Sequence, residues 1–348
     1  MESNEESKGL RMGNTDNASA FNRDNDFEPN ISHSSHKNAI KGPEMSLVNF
    51  ETTVLELGKQ LASQLIQWKE TENAMQLSRA LDHFQREAFH IVFCGEFNRG
   101  KSTLVSGLLG SVRLPCSLLP TTAFNCHVVW GDQPAVTIVF KSGKELPQSL
   151  EQLERWTLPY ESHATEDVSH IEIRTCTKLL DENRVLIDTP GSQESVLRTN
   201  TAAAAIEDAD FVVVVLDARQ LLGEQDQKLI DYIHRELGRP IAVVINFINY
   251  FGDDSERQES LSRLRNWWKS HLDQDIDDWC FKIDCLAAVR RRLDNEEFGS
   301  DDFSNLRSCL MNLDRVQQTK IRDRVRFHRL RTTVDWVAHQ QATKISHL

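Results

Sequence analysis

The chain has 348 residues, of which 39% are hydrophobic and 26% charged, and its formal net charge is −12 at pH 7. This length and composition are enough for one large domain, or a domain with an appendage, built around a real hydrophobic core. No apolar run approaches the roughly 18–20 residues that span a bilayer, the N-terminus is acidic, and the seven cysteines form no C-x-x-C pair. We therefore expect a cytoplasmic protein with reduced thiols.

The N-terminal part changes character near Pro43. Residues 1–43 are rich in Ser, Asn, Asp and Glu and poor in aliphatic residues, which predicts a disordered tail. Apolar side chains then recur at helical spacing from Phe50 to Trp68 and, after a polar break, from Leu77 to Phe84. These stripes predict two helices, or one broken helix, over residues 44–88.

Residues 95–102 read Gly-Glu-Phe-Asn-Arg-Gly-Lys-Ser, a complete G-x-x-x-x-G-K-[ST] motif. An apolar run precedes it and a helical pattern follows it, which is the strand–loop–helix context that a phosphate-binding loop requires. The backbone N–H groups of such a loop bind phosphate oxygens, and the helix N-terminus adds to the attraction. The residues predicted to bind nucleotide here are Gly95, Asn98, Arg99, Gly100, Lys101, Ser102 and Thr103. Lys101 would reach the β- and γ-phosphates, and the Ser102 hydroxyl would bind Mg²⁺.

Two further segments match the needs of a magnesium-dependent nucleotide site. Residues 184–191 form an apolar strand that ends in Asp-Thr-Pro-Gly, so Asp188 is predicted to hold Mg²⁺ through a water and the Gly191 N–H to contact the γ-phosphate. Between this strand and the loop lies Leu-Pro-Thr-Thr-Ala. We favour Thr122 over Thr121 as the residue that supplies a hydroxyl to Mg²⁺ and orients the attacking water.

The rest of residues 89–298 alternates strand and helix patterns. Strands are predicted at Val136–Val139, His170–Thr175 and Phe211–Leu216, with a helical piece near residues 149–156. Apolar stripes around Leu229–Leu237 and Leu261–Leu272 predict helices. This alternation predicts an α/β fold with a mostly parallel sheet and helices on both faces.

The motifs together resemble those of bacterial dynamin-like GTPases. The resemblance rests on Gly-Glu-Phe-Asn-Arg-Gly-Lys-Ser-Thr, Leu-Pro-Thr-Thr-Ala, Asp-Thr-Pro-Gly and Ala-Asp-Phe-Val-Val-Val-Val-Leu-Asp-Ala, and covers about residues 45–300. It implies a P-loop NTPase fold, GTP and Mg²⁺ as ligands, and GTP hydrolysis. It also implies dimerisation through the G domains, with a second copy or with a longer dynamin-like partner. Within the loop, Asn98 and Arg99 are placed to stabilise charge between the β- and γ-phosphates, and Gln193 is not expected to be catalytic.

The base-selecting motif departs from that family. The strand Ile241–Ile245 is followed by Asn246-Phe247-Ile248-Asn249, where the family usually has Asn/Thr-Lys-x-Asp. Asn246 and Asn249 are still predicted to contact nucleotide. An amide at residue 249 offers one acceptor and one donor group, so it cannot accept both guanine N–H groups, which would erode guanine selectivity by about ten- to a hundredfold.

Three interpretations of this motif stay open. In the first, a different base-binding geometry still takes GTP. In the second, the site reads bases loosely, ATP included. In the third, the chain is a nucleotide-gated interaction module or partner subunit with slow or no hydrolysis.

The C-terminal residues 299–348 are predicted to be helical and basic. One apolar stripe runs through Leu306, Leu310 and Leu313, and a second runs from Ile321 to Val337. The resemblance implies that these helices pair with those of residues 44–88 as a neck bundle. Residues 306–348 carry nine Lys/Arg against three Asp. This charge favours pairing with acidic helices, or contact with an anionic membrane at its inner face, over nucleic-acid binding.

Overall fold

The structure is a computed structural model, which describes residues 47–110, 124–149, 167–180, 183–190, 200–251, 253–293, 301–313 and 315–346. Within these residues, nine strands form one sheet in the order β4-β3-β5-β2-β6-β1-β7-β8-β9. The strands are β1 Phe89–Cys94, β2 Asn125–Trp130, β3 Ala135–Phe140, β4 Glu145–Gln148, β5 Val168–Thr175, β6 Arg184–Asp188, β7 Phe211–Asp217, β8 Ile241–Asn246 and β9 Cys280–Lys282.

One half of the sheet is parallel and the other is mixed. β6, β1, β7, β8 and β9 run parallel, with β1 between β6 and β7. β2 joins this half antiparallel to β6, and the remaining strands continue outward from it. The predicted mostly parallel α/β fold is confirmed. Because all five strands of the parallel half run the same way, their carboxyl ends bring the loops after them to one edge.

The sequence of the central strands explains why they lie inside. β7, Phe-Val-Val-Val-Val-Leu-Asp, and β8, Ile-Ala-Val-Val-Ile-Asn, are buried at every position. Continuous runs of β-branched residues are typical of parallel strands that are covered on both faces. The sheet is correspondingly flanked by two hydrophobic clusters, with Phe93 and Val213 in one and Val92 and Val214 in the other.

Nine helices lie in the described residues: α1 Leu47–Gln67, α2 Thr71–Gln85, α3 Lys101–Leu109, α4 Asn200–Glu207, α5 Glu224–Asp231, α6 Asp254–Leu272, α7 Cys285–Leu293, α8 Asp302–Asn312 and α9 Arg315–Ser346. α3, α7 and α8 cover one face of the sheet, and α4, α5 and α6 cover the other. None of the helices in these ranges combines the length and the apolar character needed to cross a bilayer.

The first two helices pack against the last one. Leu65, Leu77 and Leu81 form a small separate core with Val337 of α9. α1 and α2 approach closely at Gly58, where an added Cβ would lie 2.5 Å from a methyl carbon of Leu81. The predicted break between the two N-terminal stripes lies at residues 68–70, where Lys69 adopts a positive φ of 63°.

The helix α8 does not join this bundle. We expected Leu306, Leu310 and Leu313 to pack with the N-terminal helices, but they lie in the core that α3 and β1 share. Arg184 at the start of β6 donates hydrogen bonds to the carbonyls of Met311 and Leu313 and so fixes this helix against the sheet. An amphipathic stripe shows that a helix buries one face, but not which partner covers that face.

Several basic residues of α9 contact other elements of the protein. Arg326 donates to the carbonyl of Arg86 at 3.0 Å and lies 5.4 Å from the ring centroid of Phe84. Arg329 pairs with Asp208 at 2.5 Å, and Lys344 pairs with Glu70 at 2.5 Å. These contacts favour the interpretation that the charge of α9 holds the bundle to the sheet. Membrane contact through this helix stays a prediction.

Two strands of the sheet, β2 and β4, were not predicted from the sequence. β2 was missed because Asn-Cys-His-Val-Val-Trp alternates poorly, and the edge strand β4 because it is four residues long and contains Pro147. The helical piece predicted near residues 149–156 lies outside the described residues after Ser149.

Candidate nucleotide-binding site

The loop between β1 and α3 has the backbone that a phosphate cradle requires. Gly95 has φ +142°, and a Cβ there would lie 2.4 Å from the carbonyl oxygen of Val215. Gly100 has φ +88°, and a Cβ there would lie 2.3 Å from Nδ2 of Asn246. Both glycines of the motif are therefore required by φ and by space. Asn98 adopts a left-handed φ of 60° and is exposed, whereas Thr103 lies half-buried in the first turn of α3.

Lys101 lies across its own loop. Its Nζ donates to the carbonyls of Gly95 and Glu96, each at 2.9 Å, and the side chain is 5% exposed. The loop carbonyls thereby hold the ammonium over the segment whose N–H groups would face phosphate oxygens. A phosphate group is the natural partner for a cation held in this way.

Ser102 and Asp188 come together from α3 and β6. Ser102 Oγ donates to Asp188 Oδ2 at 2.6 Å, although 86 residues separate them in sequence. Asp188 is 1% exposed at the end of β6, and the following Thr189 is fixed by its hydroxyl, which donates to the carbonyl of Phe93 at 2.9 Å. A hydroxyl and a carboxylate in contact are hard oxygen ligands of the kind that Mg²⁺ prefers.

The Arg99 side chain is surrounded by carboxylates. Its guanidinium is 5% exposed and pairs with Glu96, with Asp217 at 3.3 Å and with Asp226 at 3.9 Å. Burial raises the pKa of Asp226 to about 6, against the opposing charge of Arg99. Three carboxylates thus hold the Arg99 side chain in place, and its expected role in stabilising charge between two phosphates stays a prediction.

Asn246 joins the phosphate loop to the base side of the site. Its Nδ2 donates to the carbonyl of Arg99 at 2.9 Å, and its Oδ1 accepts from the backbone N–H groups of Phe247 at 2.8 Å and Cys285 at 3.0 Å. The side chain is 2% exposed. This amide fixes three segments relative to one another: the phosphate loop, the loop after β8 and the start of α7. Asn249 lies three residues further on and is exposed.

A stacked pair beside Asn249 was not found by sequence reasoning. The Arg219 guanidinium lies 4.3 Å from the ring centroid of Phe247 and 5.3 Å from that of Tyr250. It donates to the Asp217 carboxylate from Nε at 2.9 and 3.2 Å and from Nη2 at 2.6 Å. Burial alone would raise the pKa of Asp217, but these bonds keep it below its usual value. The run Leu-Asp-Ala-Arg at the end of β7 was the available signal.

Several predicted residues lie outside the described part of the chain. These are Thr121, Thr122 and Gly191. Their predicted roles stay predictions. Among the predicted residues that are described, the structure brings Gly95, Lys101, Ser102 and Asp188 together and connects Asn246 to them through the carbonyl of Arg99.

Comparison with known protein families agrees with this geometry. The family model for the dynamin family matches residues 91–248, which include the phosphate loop, Asp188 and Asn246. This match spans slightly less than half of the chain. The P-loop NTPase fold of residues 91–248 accounts for the strand–loop–helix at β1 and α3 and for the parallel half of the sheet.

Similar curated proteins carry related names. A bacterial dynamin-like protein of Nostoc punctiforme is 25% identical over 249 residues, which cover 64% of this chain and 36% of that protein. An uncharacterised protein encoded in the xynA 3′ region of a Caldicellulosiruptor strain is 31% identical over 170 residues, covering 47% and 41%. The GTPase Der of Clostridium botulinum is 28% identical over 169 residues, covering 48% and 29%. The alignments span less than half of each relative's length.

Two similar solved structures show the same fold. Both come from work on an oligomerised bacterial dynamin pair that senses and tethers membranes over a long range. Their TM-scores are 0.53 and 0.56, with 17% and 16% identity. The likeness covers 85% and 80% of this chain and 48% and 42% of theirs.

Proposed function

We propose that this dynamin-family chain binds GTP with Mg²⁺ and hydrolyses it to GDP and phosphate. The contact between Ser102 Oγ and Asp188 Oδ2 at 2.6 Å carries the proposal, because it assembles two magnesium-type ligands from distant segments. Lys101 lies in the adjoining loop with its ammonium held by two carbonyls. A loop that bound phosphate without Mg²⁺ would need the lysine but not the Ser102–Asp188 contact.

The residues would divide the work of phosphoryl transfer. Ser102 directly, Asp188 through a water and Thr122 as a further ligand would hold Mg²⁺, which would neutralise charge on the β- and γ-phosphates. Lys101 would exchange its loop carbonyls for phosphate oxygens. Asn98, exposed at the tip of the loop, would stabilise the developing charge, and Thr122 would orient the attacking water.

Dimerisation across the nucleotide face is part of this proposal. The solved relatives belong to a dynamin pair, and the predicted partner of this chain is a second copy or a longer dynamin-like protein. Light scattering with GTP, GDP and no nucleotide checks this: we expect the mass to double only with the triphosphate or with a transition-state mimic. A mass that never changes would exclude dimerisation with a second copy and would not bear on the nucleotide site.

The main test compares two lysine substitutions. Lys101→Ala should lower affinity for Mg·GTP by at least about a hundredfold and abolish turnover, because it removes the cation that faces the phosphates. Lys144→Ala is a matched control, because Lys144 is exposed near the β3–β4 edge at the other side of the sheet. Hydrolysis that survives in Lys101→Ala would refute the assignment. Tight binding by the wild-type protein without turnover would favour the nucleotide-gated interaction module.

A further inference from the structure

The base side of the site keeps the hydrogen bonds that hold a nucleotide pocket together, but the residue that would contact the edge of the base is different. Asn246 is tied to the phosphate loop, to Phe247 and to Cys285, so the loop after β8 is held in a defined position. Phe247 follows with a left-handed φ of 62°, and residues 248–250 form one helical turn. Asn249 is exposed on this turn, and its amide hydrogen-bonds to none of the described residues. It is available to meet a ligand.

The chemistry of an amide at residue 249 decides which base edge it fits. An asparagine offers one acceptor oxygen and one NH₂ donor. Guanine presents two donors along its N1–C2 edge, so one of them would face the asparagine NH₂. Xanthine presents one donor, N1–H, and one acceptor, O2, and can pair with both groups. Hypoxanthine offers only the N1–H donor, and adenine offers only the N1 acceptor.

The neighbouring surface favours stacking, which does not distinguish bases. Phe247 occupies the position after Asn246 where the family usually has a lysine, and Arg219 lies over its ring at 4.3 Å. Tyr250 meets the ring of Phe247 edge-on, with centroids 6.1 Å apart. Hydrogen bonds that Arg219 donates from Nε and Nη2 to the Asp217 carboxylate fix its guanidinium in this place. Flat aromatic and guanidinium surfaces stack on any base, because every base has a π-face.

We propose that Asn249 gives this site a relaxed purine selectivity in which a xanthine base is accepted at least as well as guanine. The inference rests on the proposed function, since it assigns the base specificity of the same site. Affinity would come from the phosphate loop and from stacking beside Phe247, and the edge of the base would contribute a preference for one donor next to one acceptor.

The test is a titration of the full chain with the Mg²⁺ complexes of GTP, XTP, ITP and ATP. The wild-type protein should not prefer GTP over XTP. Asn249→Asp should shift the ratio of the two dissociation constants toward guanine by about tenfold or more, because a carboxylate accepts both guanine N–H groups and repels the xanthine O2. Asn266→Asp, on the exposed face of α6, makes the same change of charge and should leave the ratio unaltered.

The outcomes separate this inference from the function beneath it. A wild-type preference for GTP over XTP, or a shift of less than tenfold in Asn249→Asp, would overturn the inference while the GTPase proposal stands. Failure of all four triphosphates to bind would refute the proposed function and the inference together. A shift of the expected size with Asn249→Asp, absent from Asn266→Asp, would assign the base-reading role to residue 249.

Discussion

The two ends of the candidate site are built by different means. At the phosphate end, two glycines with positive φ, a buried lysine and the Ser102–Asp188 contact follow the family motif residue for residue. At the base end, only Asn246 keeps its expected place, and Phe247 and Asn249 replace the family's lysine and aspartate. The difference shows that the connections of a nucleotide pocket can persist while the group that selects the base changes.

One chain of contacts joins the two ends. The backbone carbonyl of Arg99 accepts a hydrogen bond from Asn246, and the side chain of Arg99 pairs with Asp217. Asp217 in turn holds Arg219 against the ring of Phe247. The base end is therefore built onto the phosphate loop rather than beside it. Substitutions along this chain should show how far one end can change without the other.

The largest effect is expected at Arg99. Arg99→Met removes the cation from Glu96, Asp217 and Asp226, and leaves the 1%-exposed Asp226 carboxyl without its charge partner. Breaking a buried ion pair in this way should lower the free energy of unfolding by about 3–5 kcal/mol. Denaturant unfolding of the nucleotide-free protein measures it.

The control for Arg99→Met is the double variant with Asp226→Asn. Neutralising the stranded carboxyl should restore part of the lost stability, because much of the loss is the cost of an unpaired buried charge. A double variant no more stable than Arg99→Met would contradict the view that Arg99 is held by, and compensates, these carboxylates.

A smaller loss of unfolding free energy is expected on acidification. It should affect the whole folded chain rather than one end of the site. His83 of α2 lies buried beside Arg86 and Asp210. Asp210 directly precedes β7, so this cluster lies at the opposite end of that strand from Asp217. Burial, and then the charges of Arg86, Arg329, Arg239 and Arg326, lower the pKa of His83 from 6.5 to about 2. The unfolded chain binds a proton below about pH 6.5 that the folded chain refuses, so stability is full above that pH and falls with acid.

Between pH 7 and pH 5 this one histidine should cost about 2 kcal/mol of unfolding free energy. His83→Gln should reduce the slope of stability against pH in that range. His339→Gln, on the exposed face of α9, should leave it unchanged. Equal slopes in His83→Gln and the wild-type protein would show that His83 is not the group that resists protonation.

The smallest effect is expected at Arg219. Its side chain is 47% exposed, and a cation–π contact at such a site contributes about 0.5–1 kcal/mol. Arg219→Gln should therefore weaken GTP and XTP by the same few-fold factor and leave unfolding almost unchanged. A loss confined to one of the two nucleotides would mean that Arg219 reads the base edge rather than supporting the stacking surface.

Sequence reasoning found the phosphate end because a motif encodes backbone geometry. Gly95 and Gly100 adopt φ values that favour glycine, and this requirement appears in the sequence as two glycines at a fixed spacing. The partners of the Arg99 side chain were not visible, because spacing in a loop does not show which other elements fold against it. The partners Asp217 and Asp226 come from other elements, and only the folded chain brings them to Arg99.

The same limit explains the differences in the fold. The central strands β7 and β8 were predictable from their unbroken apolar runs, and the helices of the bundle from their stripes. The place of α8 was not, because its stripe fits the bundle and the sheet equally well, and the contacts of Arg184 with Met311 and Leu313 decide between them.

We expect the phosphate end to supply most of the nucleotide affinity and the base end to supply little base selection. The most direct test is a titration of wild-type protein and Lys101→Ala with Mg·GTP and Mg·XTP under the same conditions. We predict that the wild-type protein binds both, and that Lys101→Ala weakens both by the same factor of about a hundred or more. Retained affinity in Lys101→Ala, or a wild-type protein that binds GTP and rejects XTP, would contradict the account.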